Sequence, residues 1–143
     1  MKIRSLYLLF YIFPACAYGG LIFYLSSLSF PPEEVPSFWG LDKIIHFTEY
    51  YIFGYLIFRC FAHWKNIAFR QRHAILWTIS IGVFYAMTDE WHQSFVPGRD
   101  PSVWDMLFDA LGVAFAALTF QGIRKQVRVI KWMENWLERR IRH

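Results

Sequence analysis

Four polar side chains crowd five positions of the stretch TDEWHQSF: Asp89, Glu90, His92 and Gln93. Their types suit acid–base work. An imidazole with an acid one helical turn away can act as a general base, the acid orienting the ring, while a carboxyl crowded by other acids stays protonated and can donate. On that reading His92 is the base, Asp89 its orienting partner and Glu90 the acid. The setting adds weight, because the group directly follows the apolar run AILWTISIGVFYAM. A polar group left unpaired in hydrocarbon costs several kcal/mol, so these four must meet water, a partner or a ligand.

Two further segments carry matching chemistry. At about 100° per residue, Asp42, His46 and Glu49 share a narrow helical sector, and Asp105 and Asp109 lie one turn apart. Three helices thus present acids and imidazoles at one depth, which implies a shared polar cavity. Arg99, in the turn VPGRDPS, could pair with an acid there or bind phosphate or carboxylate. Asp42, His46, Gln93, Arg99, Asp105 and Asp109 are accordingly the candidate substrate-binding residues. Plainer roles suit some of them equally: His46 can be an ion pair pinning its helix, and Asp105 and Asp109 can be helix-start acids favoured by the dipole. His46, His92 and several carboxylates are suitable metal ligands, but there is no HExxH motif and no cysteine cluster, so no metal ligand is assigned and the cofactor is left unknown.

The elements that must position these groups are helices. The chain has 143 residues, room for one domain, and its 56% hydrophobic and 21% aromatic content is too apolar for an ordinary soluble protein. Long apolar runs cover residues 6–28, 44–62, 74–87 with a polar extension to 95, and 103–120. Each approaches the ~20 residues that cross the hydrocarbon core as a helix. The expected fold is all-α, a four-helix transmembrane bundle over residues 1–120, followed by a basic amphipathic tail over 121–143. The start of the first run, MKIR with ACA at 15–17, also fits a signal peptide, but the apolar character continues to Leu28 and favours an uncleaved helix. An intact mass beginning at Met1 settles that point.

Charge sets the expected orientation. Thirteen of the fifteen basic residues fall on one side of such a bundle, with Lys43 and Arg99 alone on the other, which places both termini in the cytoplasm. Nine acids fall on or near the opposite half; Glu134 and Glu138 are the exceptions. Trp39, Trp91 and Trp104 suit the outer interface, and Trp64 and Trp77 the inner one. The net charge of +4 then faces anionic lipid rather than nucleic acid. Cys16 and Cys60, expected at opposite ends of the bilayer, read as unpaired packing residues.

Between the runs, SFPPEEVPSFWGLDK cannot continue a helix and reads as an irregular cap, while residues 63–73 form a basic loop. Gly82 with Ala86, and Gly112 with Ala116, place small residues four apart for close helix packing. Tyr50, Phe53, Phe84 and Phe108 read as lipid or core contacts. In the tail, Ile123, Val127, Ile130, Leu137 and Ile141 make an apolar stripe suited to the inner leaflet, although Trp132 and Trp136 fall on the other side. A solvated continuation of the fourth helix fits that segment as well.

DKIIHFTEYYIFG followed by TDEWHQSFVPGRDPSVWDMLFDALG resembles the VanZ-like family of small bacterial membrane proteins, named for a protein associated with resistance to teicoplanin. The resemblance spans residues 41–118 and rests on the spacing of Asp89, Glu90, Gln93, Phe95, Arg99, Asp105 and Gly112. Asp109 stands where members often carry Asn, one acid more than the family's usual set. The resemblance implies a four-helix membrane domain in the bacterial cytoplasmic membrane and a cell-envelope setting, but no agreed reaction.

Two function classes remain open. In one, the protein is an enzyme that accepts a membrane lipid or lipid-linked precursor in the outer leaflet. In the other, the same pocket binds an envelope lipid or partner without changing it. A proton-coupled transporter ranks last, since polar residues are missing from the inner halves of the helices, where a path would continue. The oligomeric state is not fixed by the sequence.

Overall fold

The computed structural model describes residues 2–29, 40–62, 71–126 and 128–142, helical apart from turns and short irregular stretches at 27–29 and 94–102. Residues 30–39 of the expected cap, with Trp39, and most of the basic loop, with Trp64, lie outside the described residues, whereas the last three residues of that cap, Leu41 to Lys43, are helical. The first rod comprises α1 (Lys2–Tyr7), a π-helical stretch (Leu8–Ile12) and α2 (Phe13–Ser26). Pro14 explains the π stretch, because proline donates no N–H and its ring displaces the carbonyl one turn back, which shifts the ladder locally. Then follow α3 (Leu41–Ala62), α4 (Gln71–Gln93), α5 (Val103–Gln126) and α6 (Arg128–Arg142).

Local chemistry sets the helix starts. Gly40, at φ 96°, turns the chain into α3, and Gly98, at φ 81°, shapes the turn after α4; both values favour glycine. Ser102 caps α5, its Oγ accepting the Trp104 N–H at 3.2 Å.

Helix α5 is the central element, packed most extensively on α3 and then on α4. Small residues allow the approach, as the four-residue spacing predicts. A Cβ on Gly54 would lie 2.8 Å from the Val113 Cα, and one on Gly112 would lie 2.9 Å from the Tyr51 backbone nitrogen. Ala86 and Ala116 are fully buried at the same seams. The core between the helices holds Ile22, Tyr50, Phe53, Ile57 and Val113. Phe84, by contrast, faces outward with Leu76, Ile81, Phe115 and Leu118.

Two helical stretches among the described residues, Ser5–Ser26 and Val103–Phe120, are long and apolar enough to cross a membrane. Four were expected. Charged and polar groups dilute the other two, notably Asp42, Lys43, Glu49 and Arg59 in α3 and the run from Thr88 to Gln93 in α4.

The C-terminal segment carries features of both readings of the tail, a continued fourth helix and a separate helix after it. Helix α5 passes residue 120 and runs to Gln126, so the expected boundary at 120/121 falls inside a helix. Helix α6 then folds back on α1 and α5, with Leu137 buried against Tyr11, Ala15 and Cys60. Glu134, fully buried, accepts a 2.5 Å bond from Arg59 Nε and a 3.3 Å bond from the Tyr11 hydroxyl. Arg59 also stacks over the Tyr11 ring. Leu137 is therefore turned onto protein. Trp132 is left exposed on the other side. Cys60 packs beside Ala15, the neighbour of Cys16, rather than a bilayer's thickness away; both cysteines are free.

Candidate functional site

The polar groups gather where α2 and α4 end and where α3 and α5 begin. His46 and Asp109 stand in the second turns of α3 and α5, and Asp89 and Glu90 close to the end of α4. They form two clusters, one on each side of α4, because Asp89 and Glu90 are successive residues about 100° apart on the helix.

On the α2 side, Asp89 is buried and both its oxygens are engaged. Ser26 Oγ donates to Oδ1 at 2.6 Å, and Gln93 Nε2 donates to Oδ2 at 3.1 Å. His92 turns elsewhere: its Nε2 lies 2.9 Å from Ser27 Oγ, and its ring stacks on Phe23 at 4.3 Å between centroids. The expected orientation of His92 by Asp89 is thus replaced by Ser27 and Phe23, since Ser26 and Gln93 take up the carboxylate. An open groove of about 360 Å³ runs along this face, lined by Phe23, Tyr85, Thr88, Asp89, Trp91, His92 and Phe95.

On the α3–α5 side, His46 Nδ1 lies 3.0 Å from Asp109 Oδ1, and His46 Nε2 lies 3.9 Å from Asp105 Oδ1. Glu90 reaches across to α5, its Oε2 accepting the Ser102 N–H at 2.9 Å. Lys43 bridges Asp105 and Asp42, the latter at 2.8 Å. Lys43 and Asp42 precede the apolar run of α3. The hydrogen bond and charge of Lys43 outweigh slight burial and hold the Asp42 carboxyl below its usual range. Burial lowers Lys43, but the bonds to Asp105 and Asp42 prevail and raise it.

Arg99 does not meet these acids through its described hydrogen bonds. Its Nε donates to the Leu28 carbonyl at 3.1 Å and its Nη2 to the Leu25 carbonyl at 2.8 Å. Both carbonyls lie at the end of α2, where a cation complements the helix dipole, and that of Leu25 also accepts the Leu28 N–H at 3.2 Å. Arg99 therefore ties the turn after α4 to the end of α2.

Of the residues proposed from sequence, the structure brings together His46, Glu90, Asp105 and Asp109 in one cluster and Asp89 and Gln93 in the other. Asp42 is an exposed partner of Lys43, and His92 lines the groove. Ser26, Ser27, Lys43 and Ser102 were missed as site members. The serines have a sequence signal, standing at the polar end of an apolar run and before a helix start, but serine is common at both places.

A family model described as VanZ/LLP1 matches residues 6–124, and the chain belongs to that family. The match includes most of the first rod, which the resemblance over 41–118 left out and whose end supplies Ser26 and, just beyond it, Ser27. No curated protein and no solved structure matches the chain.

Proposed function

We propose that this chain is a four-span protein of the bacterial cytoplasmic membrane, both termini cytoplasmic, that takes the polar end of a membrane lipid or lipid-linked envelope precursor. The spans are the first rod and the apolar runs of α3, α4 and α5. Large apolar side chains pointing outward, among them Leu76, Phe84, Phe115 and Leu118, support a lipid environment for the bundle. Among the described residues, the observation that carries the ligand reading is the groove between α2 and α4. Aromatic walls from Phe23, Tyr85, Trp91 and Phe95 meet the imidazole of His92 and the carboxylate of Asp89 in one open cleft. Such a surface offers an apolar face to an acyl chain and a polar end to its headgroup.

His92 is the imidazole of the groove, and its contact with Ser27 places a hydroxyl beside it. Processing of the precursor follows if that pair acts on it; binding without turnover follows if it serves only as a contact. Either action alters the supply or presentation of envelope precursors, which is how the family's association with glycopeptide susceptibility would arise. The test is mass spectrometry of lipids retained by protein purified into nanodiscs, for wild type, Phe23→Ala and His92→Ala, before and after incubation with envelope lipids. Enrichment of a lipid class in the wild type and its loss in both variants is expected. A covalent product that disappears in His92→Ala identifies an enzyme, and an unchanged retained lipid identifies a binding protein. Retention no different from bulk lipid in the wild type overturns the groove reading.

A further inference from the structure

We infer that His46, Glu90 and Asp109 form a divalent-cation site between α3, α4 and α5. One ring nitrogen of His46 and one carboxylate oxygen each from Glu90 and Asp109 lie within 4.8 Å of one another. Three different helices supply them, so the arrangement is tertiary and has no motif in the sequence.

The independent observation is a pair of orphaned atoms. Asp109 is 0% exposed and Glu90 8% exposed, yet among the described residues Asp109 Oδ2 and Glu90 Oε1 are buried without a hydrogen-bond partner. The companion oxygens are accounted for, by His46 on Asp109 and by the Ser102 N–H on Glu90. A buried carboxylate oxygen with no donor carries an uncompensated desolvation cost. Lys43 does not relieve it, because its ion pairs are to Asp42 and Asp105. Asp105 adds a further acid at the border, near His46 Nε2. A dication held by these three residues supplies the two missing partners and offsets the excess negative charge together.

The donor set names the class of ion. One imidazole nitrogen with carboxylate oxygens suits Zn²⁺, Mn²⁺ or Fe²⁺, whereas Ca²⁺ prefers oxygen ligands alone. Ligand bonds of about 2.0–2.2 Å put neighbouring donors roughly 3–3.5 Å apart, so side-chain movements of about 1 Å close the group on an ion. The groove is lined by Asp89 and His92 and by none of these three residues, so the cation site stands whether or not the groove takes a lipid.

The test uses full-length protein purified through a histidine-free tag, stripped with chelator, and titrated separately with Zn²⁺, Mn²⁺ and Mg²⁺. Calorimetry and thermal unfolding are read together. Saturable binding of Zn²⁺ or Mn²⁺ is expected, with an unfolding midpoint that rises with metal concentration. Glu90→Gln and Asp109→Asn, which keep side-chain shape, should each weaken binding at least ~10-fold, while His73→Ala, at the opposite end of α4, binds as the wild type does. If either acid variant fails to fold, the chelated and reloaded wild type decides alone. Absence of saturable binding by the wild type overturns the site, as does wild-type affinity in both acid variants. A carboxylic-acid C=O band that is lost in Asp109→Asn and unmoved by metal in the wild type also overturns it, since a proton then satisfies the acid.

Discussion

Gly112→Ala and Gly20→Ala make the same chemical change, and the structure gives them opposite signs. Within a helix, replacing glycine with alanine favours the folded state by about 0.8–1.0 kcal/mol through backbone entropy and helix propensity. At Gly20 a Cβ meets nothing within 4 Å among the described residues, so that gain should appear undiminished. At Gly112 the added carbon would lie 2.9 Å from the Tyr51 nitrogen and also press on the Phe47 carbonyl. Ordinary contact needs about 3.5–4.0 Å, and both neighbours are α3 backbone, which cannot rotate aside. The helices must part by roughly 1 Å, against an overpacking cost of about 1–3 kcal/mol. Rigid backbone on both sides argues for the upper half of that range, leaving a net loss of about 1–2 kcal/mol after the propensity gain.

The same separation reaches the site, because Phe47 adjoins His46 and Gly112 lies one turn from Asp109. Their 3.0 Å contact would stretch beyond hydrogen-bond range. Reversible unfolding in mild detergent, followed by tryptophan fluorescence, compares the two variants with the wild type. A Gly112→Ala protein as stable as Gly20→Ala would refute the close approach of α3 and α5 on which the His46–Asp109 geometry depends.

Removing Glu134 should be far more damaging than a surface acid: Glu134→Ala leaves Arg59 buried without its carboxylate, a loss of about 3–5 kcal/mol. Limited proteolysis should then release the α6 segment, and an uncut C-terminus with unchanged stability contradicts its docking. The Asp42–Lys43–Asp105 group should give a plateau in stability against pH. The lowered Asp42 carboxyl contributes above its unfolded range and is lost as pH falls through the folded value; the raised Lys43 contributes below its unfolded range and is lost as pH rises through its folded value. Lys43→Gln should flatten both flanks of the midpoint-against-pH curve, and a superimposable curve would assign the flanks to other groups.

Several features were legible in the residues themselves. Apolar run lengths located the four long helices, because a helix needs a continuous stretch of compatible residues, which one sequence window displays. Four-residue spacing of Gly82, Ala86, Gly112 and Ala116 announced the seams, and the polar ends of the runs announced a common depth for the acids. Family membership was equally local, carried by the spacing from Asp89 to Gly112. Pairings were another matter. Periodicity puts Asp89 and His92 one turn apart on α4, but it cannot tell that Ser26 and Ser27 of α2 would take one each. Nor does it show Arg99 on the carbonyls at the end of α2, or Glu134 on Arg59 from 75 residues away. Rotation of one helix about its axis relative to another is fixed by side chains far apart in sequence. That rotation turned Glu90 toward His46 and Asp109, and with it decided which acids share a cluster and which carboxylate oxygens stand without a donor.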